Sequence, residues 1–286
     1  MDLNRGWRTA LIRDRVADAR LEGVVSADRY VVVRPGQVVT PAAALRAGPD
    51  PGAEQVSQLL FGEAFDRLDD QGDYVFGQAR RDGCVGWAPA KAIDQPLSTP
   101  THWVSALRAY AFAEPSIKAP ASGPLSLNAL VRVVEETETL MRAERVGWIA
   151  RRHLAPIGVC AADPAAVALA HLGAPYVWGG RDSTGLDCSG LVQQALLACG
   201  FACPRDADQQ QALGAPAPAD DLIRGDLVFW RGHVGMMADP RRLIHANAHH
   251  MAVTLEALAT VIARGEDPLA YRRLSGRKSP ARRRKP

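Results

Sequence analysis

Apolar residues after position 188 fall at helical spacing. They are Leu191, Val192, Ala195, Leu196 and Cys199. This spacing predicts a helix that begins at Cys188 and ends at Gly200, since glycine is common just past helix ends. Three short apolar runs between residues 227 and 246 predict strands, and Asp239-Pro240 predicts the turn between the last two. The pattern therefore predicts a helix followed by a small antiparallel sheet.

The first half of the chain lacks long helical periodicity and contains short β-rich runs separated by turn signals. The runs come in two passes, and each pass ends in Val-Gly-Trp, at 85–87 and 146–148, a period of about 61 residues. This internal repeat predicts two small β-barrels. A helix is predicted to follow over residues 165–172, with Asp163 as its cap and Pro164 at its first position.

The composition is that of a soluble globular protein with more than one domain. The chain has 286 residues, 47% of them hydrophobic and 23% charged, with a net charge of +3. It has no apolar run of about 18 residues, so we expect no membrane span. The Arg-rich segment 1–23 lacks the apolar stretch of a secretory signal. Five cysteines, an odd number, indicate a reducing compartment. We therefore expect a cytoplasmic protein.

The basic C-terminus and one cysteine pair allow two further interpretations. The tail at 276–286 has Pro and Ser but no apolar run, which predicts a disordered, solubilising tail and, as the alternative, a nucleic-acid contact. Cys199 and Cys203 have the spacing of zinc ligands, but two further ligands at suitable spacing are missing and Cys199 lies on the apolar stripe. We therefore expect no metal, no cofactor and no nucleic-acid partner.

Candidate chemistry lies at Cys188, His233 and His245. Cys188 opens the predicted helix, where the helix dipole and the free N–H groups favour a thiolate. In a hairpin centred on Asp239 the two histidines face each other on one side of the sheet, so that one imidazole can fix the tautomer of the other. A thiol nucleophile with a base and an orienting residue fits this layout. The alternative is an inert core cysteine with structural histidines.

Several blocks around these residues resemble the NlpC/P60 cysteine peptidases. The blocks are 174–180, 185–192, 224–230, 232–236 and 244–246. The resemblance implies a papain-like architecture, in which a helix carrying the cysteine packs on an antiparallel sheet carrying the histidine. It also implies that Cys188 is the nucleophile, His233 the general base and His245 the polar third member that orients His233.

A further block, Cys203-Pro204-Arg205-Asp206, resembles the Pro-Arg-Asp-Ser block of γ-D-glutamyl-L-diamino acid endopeptidases, which cut murein peptides after D-glutamate. This resemblance implies a pocket that holds the free amine of L-alanine and the D-glutamate carboxylate, lined by Asp187, Ser189, Arg205 and Asp206. An arginine fork suits a carboxylate, and acidic groups suit an ammonium. Ala207 stands where the block usually has serine, which removes one hydroxyl from the pocket.

The two predicted barrels resemble bacterial SH3 domains, and such barrels before an NlpC/P60 domain form the arrangement of these endopeptidases. The predicted fold is therefore α+β: a papain-like NlpC/P60 catalytic domain preceded by two small SH3-like β-barrels. The predicted division is an N-terminal segment, two barrels, the catalytic domain and the basic tail, at residues 1–29, 30–95, 96–156, 157–275 and 276–286.

The resemblance implies a cysteine endopeptidase that hydrolyses the γ-D-glutamyl-L-diamino acid bond of murein peptides with a free N-terminal L-alanine, in peptidoglycan peptide recycling. Two alternatives stay open: an inactive or weakly active cell-wall-binding SH3 protein, and an amidase or acyltransferase on the same fold. We expect the first barrel to narrow the cleft and exclude long glycan-linked strands, rather than the barrels to bind the wall. Trp178 is a candidate substrate contact, with a core aromatic as the alternative. The sequence leaves the diamino acid and the oligomeric state open.

Overall fold

The computed structural model describes residues 8–274; residues 1–7 of the predicted N-terminal segment and the predicted tail at 276–286 lie outside this range. Strands dominate the described part, and they are joined by a few short helices. The α-helices are α1 (Pro164–Leu169), α2 (Cys188–Ala198), α3 (Ala207–Gln210) and α4 (Leu258–Arg264). Short 3-10 helices lie at Ala19–Leu21, Ala90–Ala92 and Arg151–His153. The predicted α+β class is confirmed.

The N-terminal segment and the first barrel form two adjoining sheets. A three-stranded sheet comes first, with strands β1 (Ile12–Arg13), β2 (Val16–Asp18) and β3 (Arg29–Val31). The barrel follows, with strands β4 (Arg34–Val38), β5 (Ala42–Arg46), β6 (Gln55–Leu60), β7 (Ala64–Gln71), β8 (Tyr74–Ala79), β9 (Val85–Pro89) and β10 (Ile93–Asp94). Its strand order is β10-β4-β7-β8-β9-β5-β6. Alternating side chains bury Leu45, Phe65 and Val75 in one core, and Leu11 packs against Trp87 to join the two sheets.

The second barrel repeats this plan with shorter strands. They are β11 (His102–Val104), β12 (Arg108–Phe112), β13 (Ala121–Ser126), β14 (Leu130–Val131), β15 (Val133–Glu136), β16 (Leu140–Ala143), β17 (Gly147–Ala150) and β18 (Leu154–Pro156). They form two sheets, ordered β14-β11-β18 and β13-β12-β17-β16-β15. Val104, Leu125 and Ile149 are buried in a core of their own.

The C-terminal domain packs helix α2 on an antiparallel sheet. Its strands are β19 (Arg181–Asp182), β20 (Gly185–Leu186), β21 (Ala215–Pro216), β22 (Leu227–Trp230), β23 (His233–Met237), β24 (Arg242–Asn247), β25 (Ala252–Ala257) and β26 (Ala270–Arg273). Six of them form the main sheet, in the order β21-β26-β22-β23-β24-β25. Leu191, Val192 and Leu196 of α2 are fully buried in the core between the helix and this sheet. The helix that carries Cys188 is therefore the centre of the domain.

Capping residues fix where the first two helices begin. The Asp163 carboxylate accepts from the backbone N–H of Ala165 at 2.9 Å, so α1 starts at Pro164 as predicted, although it ends at Leu169 rather than at 172. The Asp187 carboxylate accepts from the N–H of Gly190 at 2.7 Å. This cap places Cys188 at the first position of α2.

A buried arginine ties the first barrel to the C-terminal domain. The Arg181 guanidinium donates to both carboxylate oxygens of Glu63, at 2.9 and 3.0 Å, and Arg81 contacts the same carboxylate at 2.8 Å. Arg181 is fully buried, so its charge depends on this pairing. Asp82 of the barrel accepts from the Gln193 amide of α2 at 2.9 Å. The first barrel is therefore held in a fixed place beside α2.

The part of the chain that the structure describes has no helix long and apolar enough to cross a membrane. Strands of the first barrel lie between Arg34 and Asp94, and those of the second lie between His102 and Pro156. The domain boundaries drawn from the sequence stay predictions.

Candidate active site

Cys188 lies at the start of α2, at the floor of a cavity. Its side chain is buried, with 6% of its surface exposed, and its thiol lies 3.9 Å from the carbonyl oxygen of Gly232. Burial, and then the neighbouring Asp187 carboxylate, raise the pKa of the Cys188 thiol to about 11. Burial therefore opposes the thiolate that the helix start was expected to favour. A neutral thiol needs a base that takes its proton when the sulfur attacks.

His233, which the sequence analysis predicts to be that base, lies on the hairpin of β23 and β24. His233 Nε2 lies 2.9 Å from His245 Nδ1. The strand register pairs Met236 with Ile244, so the hairpin centres on Pro240, one residue later than predicted. The two histidines are therefore diagonal rather than directly opposite, but they share one face of the sheet, and their rings meet edge-on with centroids 5.2 Å apart.

A glutamate that the sequence analysis missed fixes the tautomers of both imidazoles. His245 Nε2 lies 2.9 Å from Glu256 Oε2. A carboxylate can only accept, so Nε2 of His245 carries the proton and its Nδ1 accepts from His233 Nε2–H. This leaves Nδ1 of His233 as the acceptor that can take a thiol proton. Glu256 is itself held by Arg264 and by the Thr254 hydroxyl, at 3.2 Å for the latter.

The protonation states of the pair follow from burial. Desolvation, and then the adjacent His245, lower the pKa of His233 to about 4. Burial also lowers the pKa of His245, against the opposing effect of Glu256. The Arg264 guanidinium, foremost, holds the pKa of Glu256 well below its usual range. At neutral pH the site therefore contains a thiol, two neutral imidazoles and one carboxylate.

The cavity above Cys188 has a volume of about 700 Å³, and three parts of the chain contribute residues to its walls. Residues that face it include Cys188, Asp187 and Trp178 from the C-terminal domain, Arg46 and Glu54 from the first barrel, and Arg8 from the N-terminal segment. Trp178 is 60% exposed, and its indole N–H donates to Glu54 at 2.8 Å. It is therefore a wall of the cavity and not a core aromatic.

Arg205, predicted as a pocket residue, lies behind the cavity wall. It is 2% exposed. Its guanidinium donates to both oxygens of Asp187, at 3.0 and 2.6 Å, to the Ser189 hydroxyl at 2.8 Å and to the Ser57 hydroxyl of the first barrel at 3.0 Å. Asp187 also accepts from two backbone N–H groups. Arg205 and Asp187 thus hold each other, with no edge of the guanidinium left for a substrate carboxylate.

Asp206, predicted to hold the substrate amine, already forms an ion pair with an arginine of this chain. Arg8 of the N-terminal segment donates to Asp206 at 2.6 Å and to Asp208 at 2.6 and 3.1 Å. Asp206 also caps α3. Ala207, where the related block has serine, is buried at the first position of that helix. The two acidic residues assigned to an ammonium are therefore each paired with an arginine.

Glu54 is a cavity carboxylate with one oxygen that has no hydrogen-bond partner among the described residues. It lies on the β5–β6 loop of the first barrel and is exposed. Its Oε1 accepts from Trp178, and no other group in the described part of the chain pairs with it. Nothing in its local sequence marks it, because the Cys188 motif lies more than a hundred residues away and the contact is between domains.

Metal chemistry has no ligand set in this region. Residues 8–274 contain no group of three or more His, Cys, Asp or Glu side chains placed to hold a metal ion.

Two segments of the chain match known families. Residues 173–264 match the NlpC/P60 family, and residues 45–93 match the bacterial dipeptidyl-peptidase Sh3 domain. The first segment holds Cys188, His233, His245 and Glu256. The second holds Arg46 and Glu54.

Relatives and a solved structure extend this similarity. The gamma-D-glutamyl-L-lysine dipeptidyl-peptidase of Bacillus subtilis (strain 168) is 34% identical over 99 residues, which are 32% of this chain and 33% of that protein, so the match spans about a third of its length. A protein of the same name from Bacillus cereus (strain ATCC 10987 / NRS 248) is 27% identical over 236 residues, 71% of each chain. The crystal structure of an NlpC/P60 family protein from Bacillus cereus ATCC 10987 has a TM-score of 0.75 at 22% identity, covering 84% of this chain and 99% of that one, which shows a shared fold.

Proposed function

We propose that this chain, which carries an NlpC/P60 domain at residues 173–264 behind a bacterial dipeptidyl-peptidase SH3 domain at residues 45–93, is a cysteine endopeptidase that cuts the γ-D-glutamyl-L-diamino acid bond of murein peptides. The observation that carries the proposal is Cys188 at the floor of a cavity that the first barrel helps to enclose. Relatives named gamma-D-glutamyl-L-lysine dipeptidyl-peptidase support the substrate class.

The reaction follows from the protonation states of the site. Nδ1 of His233 takes the proton of the Cys188 thiol as the sulfur attacks the carbonyl carbon of the γ-glutamyl amide. Asp187 already accepts from the N–H groups of Gly190 and Leu191. The backbone N–H of Cys188, at the first position of α2, has no acceptor inside the helix and stabilises the oxyanion. His233 then gives its proton to the leaving amine, and water attacks the thioester to release the dipeptide. Throughout, His245 and Glu256 hold His233 in the required tautomer.

Selection for a free N-terminus is supported by the size of the cavity and by one of its carboxylates. A volume of about 700 Å³ suits a small peptide. The ammonium of an N-terminal L-alanine is matched by Glu54, whose second oxygen has no partner among the described residues. Peptides already released from the wall, as in murein peptide recycling, are the substrates that fit this cavity.

Mass spectrometry of products tests the proposal. The purified protein is incubated with L-Ala-γ-D-Glu-diaminopimelate, either free or N-acetylated. We expect cleavage after γ-D-Glu, with kcat/KM at least about 30-fold higher for the free peptide, because acetylation removes the charge that a carboxylate holds. Glu54→Gln should shrink this preference, and Glu138→Gln, on an exposed bend of the second barrel, should leave it unchanged. Equal cleavage of both peptides would contradict amine selection.

A further inference from the structure

Arg46 is the cavity arginine without an anionic partner. It is the last residue of β5 and is half-buried where the first barrel faces the cavity. Its Nη1 donates to the backbone carbonyl of Ala53 at 2.7 Å. Within residues 8–274 no carboxylate lies within ion-pair distance of it. The other two cavity arginines are neutralised, Arg8 by Asp206 and Arg13 by Asp69.

The bond to Ala53 leaves one edge of the Arg46 guanidinium open. Nη1 is held by the carbonyl, while Nε and Nη2 have no partner among the described residues. These two nitrogens form the side-on fork of an arginine, whose two parallel N–H groups match the two oxygens of a carboxylate. The Ala53 carbonyl fixes the fork in place, so that little side-chain freedom is lost when a ligand binds.

Arg46 and Glu54 together present both charges to one ligand. They stand at the two ends of the β5–β6 loop, where the backbone N–H of Ala47 donates to the carbonyl of Glu54 at 2.9 Å. Both line the same cavity as Cys188. An L-alanyl-γ-D-glutamyl group carries an ammonium and, a few bonds away, the α-carboxylate of the glutamyl residue. The pair of side chains matches that pair of charges.

We propose that Arg46 is a specificity-determining residue of the SH3 barrel, whose Nε/Nη2 edge binds the free α-carboxylate of the γ-linked glutamyl residue. The inference rests on the proposed function for the identity of the ligand. It moves carboxylate recognition from Arg205, which is buried and committed to Asp187, to the barrel. An α-carboxamide, which lacks the charge and presents one acceptor instead of two, should bind poorly.

Calorimetric binding to the full chain tests this without turnover. The protein carries Cys188→Ala, and the ligands are L-Ala-D-Glu γ-methylamide with either a free α-carboxylate or an α-carboxamide. We expect the carboxylate to bind about 10- to 100-fold more tightly, the range of a charge-assisted fork. Adding Arg46→Gln should reduce this ratio to about 3-fold or less, with little change for the carboxamide. Adding Arg15→Gln, at an exposed arginine of the N-terminal segment paired with Asp28, should keep the ratio.

Each other outcome overturns the inference. A ratio that survives Arg46→Gln, or is lost with Arg8→Gln instead, places carboxylate recognition elsewhere. If Arg46→Gln weakens the binding of both ligands equally, the role of Arg46 is structural. If neither ligand binds, the proposed carboxylate site does not exist. Failure of the proposed function gives a different result: the Cys188-containing protein does not cleave the tripeptide, although the Arg46-dependent ratio is intact.

Discussion

Glu256→Ala should slow the enzyme although Glu256 does not line the cavity. The substitution removes the acceptor of the His245 Nε2–H, a charge-assisted bond of 2.9 Å to an imidazole that is 2% exposed. Such a bond contributes about 1.5–3 kcal/mol. Taking about 2 kcal/mol, because Arg264 shares the carboxylate, the loss in kcat is about 30-fold. His245 becomes free to adopt the tautomer that leaves His233 unable to accept the thiol proton.

Steady-state kinetics on the γ-D-glutamyl peptide measure this effect. The loss should appear in kcat with KM nearly unchanged, because the substrate does not touch Glu256. Glu256→Gln should retain more activity than Glu256→Ala, since its amide oxygen can still accept from His245. Glu135→Ala, which breaks a surface ion pair with Arg142 at 2.8 Å, is the control and should leave both kcat and KM unchanged. Full activity of a folded Glu256→Ala protein would refute the role of Glu256 in holding His245 and His233 in the required tautomers.

Three further predictions concern the imidazole pair and the buried ion pair. His233→Ala should cost more activity than His245→Ala, and His245→Asn should recover part of the rate, since His233 moves the proton and His245 orients it; equal losses in folded variants would reverse these roles. Glu63→Gln should lower the free energy of unfolding in urea by about 3 kcal/mol, because the buried Arg181 then keeps only the more distant carboxylate of Asp82, 4.0 Å away; a change near zero would show that Asp82 is a sufficient partner. Burial lowers the pKa of His233 from 6.5 to about 4 on folding. The free energy of unfolding should therefore decrease as the pH falls from 6.5 towards 4, by about 3 kcal/mol more than in the His233→Gln protein. Parallel pH profiles of the two proteins would contradict the shift.

The positions of Cys188, His233 and His245 could be predicted because local patterns place them. Cys188 follows its own cap and opens an apolar helix, and the two histidines flank a turn, so that neighbouring residues determine their positions. The one-residue error in the hairpin centre did no harm, because diagonal neighbours on one face are still within reach of each other. The burial of the Cys188 thiol, which raises its pKa, could not be predicted, because it depends on the packing of the whole domain.

The long strand β7 shows why part of the fold was missed. Its sequence, Ala64–Gln71, carries four charged residues and no clean apolar alternation. Asp66 is nonetheless buried, because Arg80 donates to it from the adjoining turn at 2.8 and 2.6 Å. A buried charge becomes tolerable only when its partner arrives, and that partner is set by strand pairing rather than by spacing along the chain.

Site residues outside the catalytic motifs were missed for the same reason. Arg46 and Glu54 belong to the barrel and line the same cavity as Cys188 because the two domains pack together, with Arg181 bound to Glu63 between them. Glu256 lies on β25 and meets His245 across the sheet. Their sequence surroundings are those of ordinary surface residues, so their roles appear only in the folded chain.

The most direct test of the account is the turnover of Cys188→Ala on L-Ala-γ-D-Glu-diaminopimelate. The variant removes the sulfur that forms the thioester and leaves the cavity, the imidazole pair and both barrels in place. The account predicts a folded protein with kcat/KM lowered at least about 10³-fold. Cleavage by this variant at the rate of the unaltered protein would contradict the assignment of Cys188 as the nucleophile.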